Sequence, residues 1–165
     1  MRKEIILAIV LIMLPFIFSG CAGNHRFGLE KPNKSVVMRT FEKERESFEI
    51  VANFMKNIEY TSCSINSNDG TMFADFERHS IDNDAVIDAI RTLWKSGCSD
   101  ILKDTENNSI AFELWFNEQD VGCGILTEID DSTDPTVQFL TFIERTDWQS
   151  WYYYVEDYNE WRASR

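Results

Sequence analysis

Apolar residues recur at helical spacing in the first part of the chain and at alternate positions later on. From Ser35 onward Phe41, Phe48, Val51, Phe54, Met55 and Ile58 mark one face, and Glu42, Lys43, Glu44, Arg45 and Glu46 crowd the polar side. This spacing predicts a first amphipathic helix. Two short, partly alternating runs, Ile58 to Ile65 and Thr71 to Phe76, flank Ser67-Asn68-Asp69-Gly70. Asp-Gly at that place predicts a hairpin, because glycine accepts positive φ in the turn. Asp82 is expected to cap a second helix, with Asp84 in its first turn and an apolar stripe of Ala85, Val86, Ala89, Ile90, Leu93 and Trp94. Lys95 in the last turn and Gly97 behind it end that helix.

After Gly97 the period becomes two. Ile110, Phe112, Leu114 and Phe116 alternate with Ala111, Glu113 and Trp115, and Thr105 to Ser109 supplies the turn before them. Val121, Cys123, Ile125, Thr127 and Ile129 predict another strand, and Val137, Phe139, Thr141 and Ile143 a third, after the acidic loop Asp130 to Pro135. Such patterns suit half-buried antiparallel strands. The expected fold is α+β: two helices packed on one face of an antiparallel sheet of about five to six strands, formed by the hairpin and a C-terminal meander. No internal repeat or low-complexity segment interrupts it.

The amino terminus has a different logic. Met1-Arg2-Lys3-Glu4 is short and basic, and Ile5 to Phe18 is an apolar run of fourteen residues broken by Pro15. That is the layout of a secretory signal, and it is shorter than the roughly 20 apolar residues of a membrane-spanning helix. Phe18-Ser19-Gly20-Cys21 then places a bulky apolar residue and two small ones before a cysteine. This resembles the lipobox of bacterial lipoproteins, with Phe18 where the pattern most often has Leu. The resemblance implies diacylglycerol on the Cys21 thiol, cleavage before it, and acylation of the new amino terminus. It implies residence on the extracytoplasmic face of the cell membrane, held there by lipid, each buried methylene contributing about 0.8 kcal/mol. The expected organisation is a signal peptide at 1–20, a flexible tether at 21–35 rich in Gly, Asn and Pro, and a single globular domain at 36–165.

Composition narrows the function classes. With 165 residues, 44% apolar and 13% aromatic, the chain suits one globular domain and not a disordered acidic tail. A net charge of −12 argues against nucleic-acid binding, which needs a basic surface. Removing residues 1–20 leaves 14 basic and 27 acidic side chains, a net of −13, and nearly all of the imbalance lies between residues 100 and 160. The segment behind Cys21, with Arg26, Lys31, Lys34 and Arg39 against Glu30, suits an anionic membrane surface. Two readings stand: a polarised molecule with its acidic half directed away from the membrane, or an acidic protein kept in solution by self-repulsion.

The tail carries the most unusual composition. Trp148, Trp151, Tyr152, Tyr153, Tyr154, Tyr158 and Trp161 are seven of the chain's ten Trp and Tyr residues. Three consecutive tyrosines cannot all face one side of a strand, so at least one is expected at the surface. Either Trp151, Tyr152, Tyr154, Tyr158, Trp161 and Trp148 form a flat surface for a peptide or sugar, or Trp151, Tyr153 and Val155 pack the sheet while the others seal its rim. Glu128, Asp130, Asp131 and Asp134 add a carboxylate cluster, but they lack the Gly and terminal Glu of a helix-loop-helix calcium site, so no metal is expected. His79 follows Asp75 and Glu77 without a nucleophile elbow, phosphate loop or HExxH, and no catalytic residues or cofactors are assigned. Cys63, Cys98 and Cys123 remain after lipidation, and one disulfide among them has three possible pairings. The expected function is a non-enzymatic lipid-anchored binding or accessory module for a cationic peptide or protein, in one version an immunity-type lipoprotein. The alternative is a cell-wall module that recognises or acts on glycan through the tail aromatics.

Overall fold

The computed structural model describes residues 33–116 and 121–164. The signal segment, Cys21 and the tether before Asn33 lie outside the described residues. The first helix, α1 (Lys34–Asn57), starts at the Asn33 cap, whose side-chain oxygen accepts from the Val36 N–H at 3.1 Å. The globular domain therefore begins slightly earlier than residue 36. Then come β1 (Ser62–Ile65), β2 (Thr71–Ala74), β3 (Glu77–Ser80), α2 (Asp84–Lys95), β4 (Asp100–Asp104), β5 (Ser109–Phe116), β6 (Val121–Glu128), β7 (Leu140–Arg145), β8 (Trp151–Asp157) and α3 (Tyr158–Ala163). No described helix is long and apolar enough to cross a membrane.

The architecture is α+β, with one antiparallel sheet, and the described residues give that sheet eight strands rather than five to six. The order is β3-β2-β1-β4-β5-β6-β8-β7. Two of the added strands come from short polar segments without clear alternation. β3 follows a two-residue turn at Asp75 and Phe76, both at positive φ, the geometry of a type I′ hairpin. β4 is tied to β1 on one side and β5 on the other. The second helix is capped by Asn83, not Asp82: the Asn83 side chain accepts from Val86 N–H at 3.2 Å. Gly97 ends it at φ +102, and the Cys98 N–H closes back on the Leu93 carbonyl.

α1 and α2 cover one face of the sheet. Phe41, Phe48, Phe112 and Trp151 pack ring against ring there, with centroid separations of 5.0 to 6.2 Å. Burying each of these rings contributes about 1.5–3 kcal/mol, so they form the energetic centre of the domain. α1 departs from helical geometry at Glu44, whose carboxylate accepts from Lys43 Nζ and from Ser96 Oγ, tying the kink to the end of α2. Lys103, buried on the same face, donates from Nζ to the Ile58 carbonyl oxygen at the C-terminal end of α1, 2.8 Å away.

The carboxy-terminal strands do not form a simple meander. β8 inserts between β6 and β7, so the chain leaving β6 must cross the sheet's second face before returning as the edge strand β7. That crossing builds a second, smaller core: Ala111, Leu126, Tyr152 and Tyr154, packed against Val137, Leu140 and Ile143. With both faces of β8 covered, Tyr152, Tyr153 and Tyr154 are all buried, Tyr152 being the most exposed at 8%. The expectation that one of them reaches the surface is corrected by this second layer.

Asn108 anchors the crossing. It sits at φ +50 in the turn before β5. Its Nδ2 donates to the carbonyl oxygens of Asp130 and Thr133, and its Oδ1 accepts from the N–H groups of Ile129 and Asp130. The two halves of the sequence also meet at the start of α1, where Lys34 Nζ lies 2.7 Å from Glu144 Oε2 and over the Tyr153 ring. The end of the tether is thus bound to the acidic half, because a 24-residue helix reaches across the sheet to β7 and β8.

Candidate functional site

The second face of the sheet is only partly covered. Strand register places Phe73, Ser64, Leu102, Ala111, Leu126 and Tyr152 in one row across it. The β6–β7 crossing shelters Ala111, Leu126 and Tyr152, while Phe73 and Leu102 remain nearly half exposed. Along the boundary runs a groove of about 590 Å³. Its floor includes Leu102, Ala111, Phe116 and Tyr154, its wall Val137, Gln138 and Phe139, and its ends Asp104 and Glu156.

A β-bulge shapes this groove. The β5–β6 register shifts between Glu113 and Trp115, so Trp115 turns into the helix-covered core and Phe116 turns out to the groove. Unbroken alternation predicts the reverse, with Phe116 inside and Trp115 out.

Two glycines on β6 set what lies beside Phe116. Gly122 faces Phe116 and Glu156, and Gly124 faces Glu113 and Tyr154. A Cβ on Gly122 would come within 2.6 Å of Glu156 Oε1, and one on Gly124 would run into the Phe112 carbonyl oxygen and within 3.1 Å of the Tyr154 ring. The missing side chains let β5 and β8 lean their own side chains together over β6. Glu113 is also in direct register with Asp100 on β4, and both crowd Glu156, which lines one end of the groove.

Crowding and burial change the ionisation of these three carboxyls. Burial, reinforced by the neighbouring Glu113, pushes Asp100 up to about 6. Burial with Glu113 and Asp100 nearby pushes Glu156 up to about 7. Burial also raises Glu113, against the Ser99 hydroxyl that donates to its Oε1. Three carboxyls held above their ordinary range beside an apolar groove form a place where added positive charge is favourable. Lys103 lines the groove but sends its ammonium to the opposite face, onto Ile58. Among the described residues, no set of three or more His, Cys, Asp or Glu side chains is arranged to hold a metal ion.

The residues singled out by sequence are distributed differently. Trp151 belongs to the helix-side core, and Tyr152 and Tyr154 to the second core. Glu128 is buried and accepts the Tyr152 hydroxyl proton at 3.1 Å. Trp151, Tyr152 and Glu128 therefore leave the candidate ligand surface, whereas Tyr154 meets it from below as groove floor. Asp130, Asp131 and Asp134 are exposed on the crossing loop. Asp130 accepts from the Ser132 N–H, and the Ser132 hydroxyl together with that N–H holds its carboxyl below the usual range.

Trp148 lies in the β7–β8 turn with the Arg45 guanidinium 4.0 Å over its ring. Tyr158 and Trp161 belong to α3 at the other end of β8, each edge-on to Phe139 at 4.8 and 4.9 Å. A strand's length, about 20 Å, separates them from Trp148, so these rings do not share a platform. His79 is structural: Nε2 donates to the Ala74 carbonyl, leaving Nδ1 to accept from the Tyr60 hydroxyl. Cys63, Cys98 and Cys123 are buried, and none of the three is joined in a disulfide.

Sequence reasoning passed over Asp100, Glu113, Glu156, Leu102 and Phe116. The available signal was Gly122-x-Gly124 inside an otherwise apolar strand, which marks close approach by neighbours. No family model matches the chain, and neither curated proteins nor solved structures give a match.

Proposed function

We propose that this chain is a non-enzymatic binding module, anchored by lipid on Cys21 at the extracytoplasmic face of a bacterial cell membrane, whose ligand is a cationic peptide or protein. The observation that carries the ligand class is the groove on the second face of the sheet, apolar along its floor and lined at one end by Glu156, whose carboxyl is crowded by Glu113 and Asp100 behind it. An apolar cleft with a few convergent charged groups is the usual form of a binding site. Burial makes each of these carboxylates costly to ionise, and a ligand cation offsets that cost. The lipobox-like Phe18-Ser19-Gly20-Cys21 supports the anchor, and the short apolar run before it supports export. An immunity-type role, intercepting a basic toxin close to the membrane, is a specific form of the same reading.

The glycan reading draws less support from the geometry. Trp151 and Tyr152 are buried, Trp161 packs edge-on to Phe139, and of the tail rings only Tyr154 and Tyr158 line the groove.

The test has two arms. Wild-type chain should partition with membranes and be released only by detergent, while Cys21→Ser should appear in the aqueous fraction. Tetralysine should bind the purified chain with an affinity that falls as salt rises, and Glu113→Gln with Glu156→Gln together should weaken it about tenfold. Membrane retention of Cys21→Ser without detergent contradicts the anchor. Salt-independent binding, or binding untouched by the two substitutions, contradicts the ligand class.

A further inference from the structure

Glu156 is a carboxyl of the groove itself, and a glycine makes its place. It stands opposite Gly122 on β6 and Leu140 on β7, neither of which brings a charge to it. Glu156 Oε1 lies 2.6 Å from where a Cβ at position 122 would be, and the Phe116 ring is 3.2 Å from the same point. The carboxyl is thus folded back over β6 beside an aromatic ring. It shares that face of the sheet with Asp100, Glu113 and Tyr154, which form one row through Gly124. Asp100, Glu113 and Glu156 are each half-buried. The other ionisable groups nearby are the Tyr154 hydroxyl, the Cys98 thiol behind Asp100 and Glu113, and Tyr158 of α3 in the groove wall. Asp104 and Lys103 line the groove, Lys103 with its ammonium on the opposite face, and Asp157 and Glu160 border a different hollow beside Tyr153 and Val155. Among the described residues no ion pair reaches any of the three carboxyls.

Carboxyls crowded together without a cation cannot all ionise easily, and a cation brought alongside favours the charged form. An empty groove and an occupied one therefore hold different numbers of protons at the same pH. Resting on the cationic-ligand reading above, we propose that the groove exchanges a proton for its ligand: Glu156 is protonated over Gly122 when the groove is empty in mild acid, and it yields that proton to water as a ligand ammonium or guanidinium takes the place beside it. Binding is then linked to pH. The ionised groove attracts a cation more strongly than the protonated one, so affinity rises as pH climbs through the value of Glu156 in the empty groove, about 7. By the same linkage, bound ligand drives the ionisation of Glu156 to lower pH. Carboxylates of ordinary acidity are already ionised above about pH 5.5 and add no such slope. A ligand captured at pH 8 is released on acidification.

Tetralysine binding to the full chain in detergent, followed from pH 5.5 to pH 8 at constant ionic strength, tests this. Wild type should bind about tenfold more tightly at pH 8 than at pH 5.5, and titration calorimetry in two buffers of different protonation enthalpy should show proton release near pH 7. Glu156→Gln should remove most of that pH dependence. Glu113→Gln should move the rise in affinity to lower pH, because the neighbour that opposes ionisation is gone. Gly122→Ala should do the same by displacing the Glu156 carboxyl, the end of a flexible side chain, from its crowded place. A purely structural role for either residue changes affinity without moving that midpoint. Thermal unfolding of each variant separates lost binding from lost fold. Equal affinity at pH 5.5 and pH 8, a pH dependence that persists in folded Glu156→Gln, or an unmoved midpoint in folded Glu113→Gln overturns the proton exchange and leaves the cationic-ligand reading standing. Failure of tetralysine to bind at any pH overturns both.

Discussion

Asp100 on β4 and Glu113 on β5 are directly opposed cross-strand partners, two carboxyls in register on the less covered face of the sheet. Like charges so placed destabilise a sheet when both are ionised. Asp100 and Glu156 have folded-state values of about 6 and about 7, above the ordinary 3.8 and 4.5. A carboxyl raised on folding favours the folded state when protonated, and that contribution is lost as pH climbs through the folded value. Stability should therefore fall between about pH 4 and pH 7. The lowered carboxyls of Glu44, Asp69 and Asp130 act in the opposite sense, and only at more acidic pH. Calorimetry should give a Tm about 3–6 °C lower at pH 8 than at pH 5, and Glu156→Gln should remove much of that difference.

Asn108 should be the most sensitive polar residue in the domain. Asn108→Ala removes all four side-chain hydrogen bonds that hold the β6–β7 crossing, and it places alanine at φ +50. A loss of roughly 2–4 kcal/mol in denaturant unfolding is expected. Hydrogen exchange should accelerate at Ile129 and Asp130 ahead of the helix-side core.

Two tail tryptophans should behave oppositely. Trp151→Ala empties a site shared with Phe41, Phe48 and Phe112, and should cost about 3–5 kcal/mol. Trp148→Ala removes a part-exposed ring stacked with Arg45 and should cost about 1 kcal/mol or less. Urea midpoints of the two variants check both values.

Gly124→Ala should be far worse than Gly97→Ala. The added methyl at Gly124 runs into the Phe112 backbone, which cannot move without disturbing β5, and a cost of roughly 2–4 kcal/mol follows. At Gly97 nothing lies within 4 Å, so only the positive φ counts, about 1 kcal/mol. Thermal unfolding of both proteins makes the comparison.

Much of the helix-side core was legible because it obeys simple periods. Phe41, Phe48, Val51 and Met55 mark α1, Val86, Ile90 and Leu93 mark α2, and Cys123 and Ile125 mark the inward side of β6. The second face was hidden by features that break those periods. The bulge beyond Glu113 reverses Trp115 and Phe116. The insertion of β8 between β6 and β7 is a long-range pairing that no local pattern encodes. It makes a two-faced buried strand of Trp151–Asp157, whose aromatic run looks like surplus surface in the sequence. The carboxyl trio comes from three separate strands, and Asp100 lies on a strand with no clear alternation of its own.

The central claim, that the groove on the second face is the ligand surface, is tested most directly by a heteronuclear NMR titration of the chain from residue 21, carrying Cys21→Ser, with tetralysine at low salt. Amide shifts should concentrate on Leu102, Ala111, Phe116, Gly122 and Glu156, leaving the α1 and α2 surfaces unmoved. Shifts confined to the Asp130–Asp134 loop or to the helices, or no shifts at all, would contradict it.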